Sequence, residues 1–162
     1  MPDETREPAA RAAGTGQRAD AGVGLVKLSI WGTVALVATS VAAAGAPDTF
    51  GSVHAALSVV LFVVGTGAML WAYALGVARS RSEVVGIPGL FLLADDVAPP
   101  SIRRVLRGAT AVQVVTVVAA ASIRPYTEVA FGILAPMFGL GLMGLWAGRH
   151  GTFGARPLER EG

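Results

Sequence analysis

The chain has 162 residues, of which 53% are hydrophobic and 15% charged, with a net charge of +2 and a mean hydropathy of +0.60. This excludes a soluble domain, because one core of this size could not hide four apolar runs of about 20 residues, each long enough to cross roughly 30 Å of hydrocarbon. The absence of cysteine excludes disulfides, thiolate metal sites and a cysteine nucleophile.

Residues 1–22 are rich in Ala, Pro, Arg and acidic side chains without an apolar period, which predicts a disordered tail. Span one runs from Val23 to Ala46. It is too long for a signal-peptide core, and the acidic tail before it and Pro47 after it oppose cleavage at its Ala-Ala-Ala stretch. Pro47 and Asp48 turn the chain into span two, about Ser52 to Ala78. These two spans form a first hairpin over 23–78.

A loop over 79–104 follows. Arg79 and Arg81 open it, and Arg103, Arg104 and the adjoining Arg107 close it. Within it, Val84 to Leu93 is apolar but too short to cross a bilayer, and Pro88-Gly89 interrupts it. That segment is expected to lie in the interface or dock on the bundle. The second hairpin, 105–148, contains span three to Ile123, a turn at Arg124-Pro125-Tyr126, and span four from Thr127 to Gly148. Pro136 lacks an amide proton and is expected to kink span four. A short tail, 149–162, ends the chain.

Twelve of the thirteen basic residues fall on one side of this arrangement: Arg6, Arg11, Arg18, Lys27, the five loop arginines, Arg149, Arg156 and Arg160. Only Arg124 lies on the other. Short loops rich in Lys and Arg stay cytoplasmic, so both termini are predicted inside. The fold is read as all-α, a four-transmembrane-helix bundle of two tandem in-out-in hairpins. A gapless shift of 77 residues places Lys27 on Arg104, Thr33 on Thr110 and Ala42-Ala43-Ala44 on Ala119-Ala120-Ala121. That points to duplication of a hairpin in parallel orientation, unlike inverted-repeat transporters.

Small residues recur at helical spacing. Gly65, Ala68, Ala72 and Gly76 do so in span two, and Gly141, Gly144 and Gly148 in span four. Such stripes let helix backbones approach closely, either within the bundle or against a partner. Gln113 is the conspicuous intramembrane polar residue and needs an interhelical hydrogen bond. Lys27 can snorkel to the surface, and the span threonines can bond the preceding turn. The arginines set topology and can hold anionic lipid headgroups. His54 and His150 are expected at opposite faces, so they cannot share a metal or haem. No catalytic triad, phosphate loop or dinucleotide fingerprint is present. No cofactor, nucleic acid or enzymatic activity is expected.

The stretches Gly89-Leu90-Phe91-Leu92-Leu93, Ala111-Val112-Gln113-Val114-Val115, Phe138-Gly139-Leu140-Gly141-Leu142, Gly144-Leu145-Trp146 and Arg149-His150-Gly151-Thr152-Phe153 resemble small four-span membrane proteins of high-GC actinobacteria with no assigned activity. The resemblance covers mainly the C-terminal half and implies a bacterial plasma membrane. The residues point first to a non-enzymatic accessory or scaffold subunit of a membrane assembly, because of the small-residue faces, the absent catalytic chemistry and the short extracytoplasmic turns. The competing class is a small-solute transporter or channel acting as a homo-oligomer, which needs a polar path through Gln113 and the threonines.

Overall fold

The computed structural model describes residues 22–94 and 96–155. The expected tail up to Ala21, Asp95, and the basic residues Arg6, Arg11, Arg18, Arg156 and Arg160 lie outside them.

The chain folds as α1 (Val23–Gly45), α2 (Pro47–Arg79), a two-residue strand β1 (Glu83–Val84), α3 (Ile87–Leu92), α4 (Pro100–Ile123), a 3₁₀ helix (Glu128–Leu134), α5 (Pro136–His150) and β2 (Gly154–Ala155). Four segments are long and apolar enough to cross a membrane: α1, α2, α4 and the continuous stretch Glu128–His150. The all-α four-helix membrane fold read from the sequence is the fold observed. The one addition is a small antiparallel ladder, Glu83 opposite Ala155 and Val84 opposite Gly154.

Helix boundaries shift where proline sits. Pro47 occupies the first turn of α2 with Asp48 beside it. Pro is pre-organised there, and a carboxylate suits a helix N-terminus. The turn after α1 therefore shrinks to Ala46, and α2 starts five residues before the expected Ser52. Pro100 likewise opens α4, so Arg103, Arg104 and Arg107 stand on that helix rather than in the loop.

Span four is two pieces. Pro136 cannot donate to the Gly132 carbonyl. Ala135 donates to it instead at 2.9 Å, and Phe138 donates to Ala135 at 2.9 Å. These are three-residue steps, and the segment before them is a 3₁₀ helix of seven residues. The expected kink is thus a change of helix type.

Span four is the central element: more than half of its most apolar stretch is buried, against roughly a quarter in each other span. It packs most extensively on α2, while α1 packs about equally on α4 and α2. Two ends can be told apart. The loop end carries the central loop and both described chain ends; the turn end carries the two short turns. At the loop end Leu90 and Leu93 of the central loop are buried against Met143, Trp146 and Ala147. The short apolar segment is docked on the bundle. A middle cluster joins Leu36, Leu61, Val117, Phe138 and Leu142. The turn end holds only Ala43, Ala120 and Val129, so apolar packing thins toward that side.

Candidate functional site

Each of the outer three spans turns polar residues inward. The buried stripe of α1 is Ser29, Thr33, Leu36, Ser40 and Ala43, with Trp31, Val34 and Val41 facing out. On α2 the inward side includes Gly51, His54, Ser58, Leu61 and Gly65, with Val53, Val59, Val60 and Val63 exposed. On α4 it includes Thr110, Gln113 and Val117. Lipid is as apolar as leucine, so helices here exclude no water by packing and their polar side chains pair with one another.

Gln113 anchors the middle of this file. It is the fourteenth of the twenty-four residues of α4 and is fully buried. Its Nε2 donates to Thr33 Oγ1 at 2.7 Å across helices, and Thr33 donates to the Ser29 carbonyl at 2.8 Å. Thr110, one turn before Gln113, donates to the Leu106 carbonyl at 3.0 Å. Gly139 of α5 lies against both: an added Cβ would collide with Thr110 and stand 3.0 Å from Gln113 Oε1. That Oε1 accepts no hydrogen bond.

Another buried polar residue is His54, which the sequence reading placed at the membrane face. Because α2 begins at Pro47, His54 lies two turns inside the helix, with no exposed surface. Its Nδ1 is 3.3 Å from Thr39 Oγ1. The Thr39 hydroxyl can also donate to the Ala35 carbonyl at 2.9 Å or the Leu36 carbonyl at 3.1 Å. With the hydroxyl hydrogen on either carbonyl, Thr39 accepts from Nδ1–H and the Nε2 lone pair is free to take a proton; with it on Nδ1, the ring proton sits on Nε2. Nε2 has no partner, and neither do the buried hydroxyls of Ser29 and Ser40. An unpaired buried polar group costs about 1–3 kcal/mol in a protein interior. A signal for His54 was available: Gly51, His54, Ser58, Leu61 and Gly65 recur every three to four residues on the side away from the valines.

The small-residue stripes meet inside the chain. A Cβ on Gly141 would collide with the Gly65 carbonyl, and one on Gly65 with the backbone at Met137-Phe138. A Cβ on Gly144 would sit 3.0 Å from that of Ala72, and one on Gly148 would sit 3.2 Å from Leu75. Gly76 faces the docked loop instead, 2.8 Å from Leu90 by the same construction. Ala68 is half-buried.

The arginines divide. Arg79 pairs with Glu83 at 2.8 Å, donates to the Gly148 carbonyl at 3.2 Å and the Gly151 carbonyl at 2.9 Å, and lies 4.9 Å from the centre of the Phe153 ring. It closes the C-terminal end of α5, where orphan carbonyls and the helix dipole favour a cation. Arg103 pairs with Asp96 at 3.0 Å, and Arg107 donates to the Leu92 carbonyl at 2.6 Å. Arg81 and Arg104 are exposed. His150 is exposed at the loop end, where a cavity of about 510 Å³ is lined by Asp96, Pro99, Trp146, His150 and Thr152 among others.

Compared with protein families, with curated proteins and with solved structures, the chain matches none.

Proposed function

We propose that the protein is a small, non-enzymatic transport unit of a bacterial plasma membrane. Both termini lie in the cytoplasm, and a small polar solute passes along the inward polar file. Gln113 carries this reading. A fully buried amide at mid-span, paired on one side to Thr33 and unpaired at Oε1 beside Gly139, is costly in hydrocarbon. Polar residues retained there usually line a path or a site. The break in span four lies beside it, since Gly139 is three residues past Pro136; interrupted helices at mid-membrane are a recurring way to build such sites. The orientation rests on the one-sided basic residues. Arg81 and Arg104 are the arginines best placed to hold anionic headgroups, at about 1 kcal/mol each near the surface.

The accessory-subunit reading drew on the small-residue faces, the absent catalytic chemistry and the short extracytoplasmic turns. Five of the seven stripe residues, Gly65, Ala72, Gly141, Gly144 and Gly148, face close intramolecular neighbours between α2 and span four, which weighs toward the transport reading.

The test is reconstitution of the full chain into vesicles offered small sugars, amino acids or ions of graded size from outside. Uptake faster than in protein-free vesicles, abolished by Gln113→Leu with the fold intact, is expected. Uptake indistinguishable from protein-free vesicles, together with a stoichiometric foreign protein co-purifying in native lipid discs, would refute transport and restore the accessory role.

A further inference from the structure

His54 sits where the bundle is least well packed. Its ring lies between α1, α4 and the 3₁₀ segment, and a Cβ on Gly132 would stand 2.7 Å from Nε2 and 3.4 Å from Val117 Cγ1. The missing side chain at Gly132 therefore makes the room that the imidazole occupies. The groups facing the ring are neutral: the Thr39 hydroxyl from α1, and the Val129 backbone and Gly132 from the 3₁₀ segment. Asp48, Arg124 and Glu128 are exposed at the rim. Of these, the Glu128 carboxylate reaches inward over α2, 3.2 Å from the position of a Cβ on Gly51. Gly51 is one turn outward of His54 on the same buried face.

We propose that His54 is a proton-binding site of the membrane interior, reached from the turn end past Glu128, and that its protonation displaces the 3₁₀ segment Glu128–Leu134. The proposal rests on the transport reading above and names the proton as the species that drives it. The proton adds to the Nε2 lone pair; the Nδ1–H···Thr39 bond is kept, no bond in the protein breaks, and the ring gains one positive charge. A cation facing Gly132, the Val129 backbone and the Thr39 hydroxyl touches no counter-charge, and burying an unpaired charge is strongly unfavourable.

The cover that can yield is the 3₁₀ helix. Its seven residues exceed the three or four usual for that geometry, and a 3₁₀ stretch within a span often marks a hinge. It runs along α2 and α4, but its one large buried side chain, Val129, clusters only with the small Ala43 and Ala120, and Phe131 and Ile133 turn outward. Its movement admits water to the imidazolium and opens the turn end of the polar file.

The experiment uses the full chain in lipid discs with His150→Asn, which leaves His54 as the single histidine. With ¹⁵N-labelled histidine, pH is lowered from about 8 to about 5, the range in which histidine changes charge. At high pH the Nδ1–H tautomer is expected. At low pH the Nε2 resonance should shift to that of a protonated nitrogen, and amide exchange over 128–134 should rise above that of His54→Gln at the same pH. Thr39→Val, close in volume, should mix the tautomers. A ring that stays neutral in a folded protein, or a pure Nδ1–H tautomer in Thr39→Val, overturns the site. Exchange over 128–134 equal to that of His54→Gln overturns the displacement. Solute uptake sensitive to Gln113→Leu alongside a silent His54 removes the proton site alone, whereas a titrating His54 in vesicles without uptake removes the transport reading alone.

Discussion

Replacing Gly141 by alanine tests the packing on which the bundle is built. The new methyl would fall on the Gly65 carbonyl, a backbone atom that cannot rotate away, so α2 and α5 must separate. Overpacking a close contact costs about 1–3 kcal/mol, and a rigid obstacle puts this site near the top of that range. Alanine returns up to about 1 kcal/mol of helix propensity relative to glycine. The net expectation is a loss of about 1–2 kcal/mol, combining those two ranges. Gly67→Ala is the control, since a Cβ there meets nothing within 4 Å; it gains the propensity without the clash and should be neutral or stabilising. Reversible unfolding in mixed micelles, followed by tryptophan fluorescence, reads both. Equal stability of Gly141→Ala and the parent would refute this packing. So would a variant that keeps its unfolding free energy but changes oligomeric state, because the stripe would then face a partner.

Gln113→Leu should change stability by less than about 1 kcal/mol, as interhelical hydrogen bonds in membranes average near that size or below and the unpaired Oε1 is removed with the bond. The same variant should lose solute uptake, so unfolding and flux measured together separate fold from function. Arg79→Lys keeps the charge but loses the planar fork that reaches Glu83 and two carbonyls at once. Faster hydrogen exchange at Gly151–Phe153 is expected, with the spans unaffected. Arg81→Gln with Arg104→Gln should weaken binding of labelled anionic lipid by a few tenths to about 1 kcal/mol per charge removed, leaving thermal unfolding unchanged. Pro136→Ala restores an amide that can donate to Gly132; circular dichroism should show added α-helix, and slower amide exchange near 132–136 should locate it.

Local rules made much of the architecture legible. An apolar run long enough to cross a bilayer satisfies its own backbone as a helix wherever it lies, so four spans follow from four runs without knowledge of their neighbours. Gln113 stood out for the same reason, as an amide in hydrocarbon must find a partner. Its partner, Thr33, is eighty residues away and appears only when α1 and α4 are packed together.

The missed residues were missed for a nonlocal reason or for a boundary. His54 looked interfacial because α2 seemed to begin at Ser52; a start at Pro47 carries it two turns deeper, and its burial needs Gly132 from the other hairpin. Arg79 read as a topology charge, yet packing brings it to the end of α5, nearly seventy residues on, where open carbonyls accept it. The glycine stripes were visible by spacing alone, but spacing is the same for a partner and for a neighbouring helix. Sequence by itself determined the spans, their number and the polar exceptions within them, because each depends on one segment and its solvent. Tertiary structure decided which face of each span turns inward, and so which polar groups meet and which are left unpaired, because those depend on segments far apart in the chain.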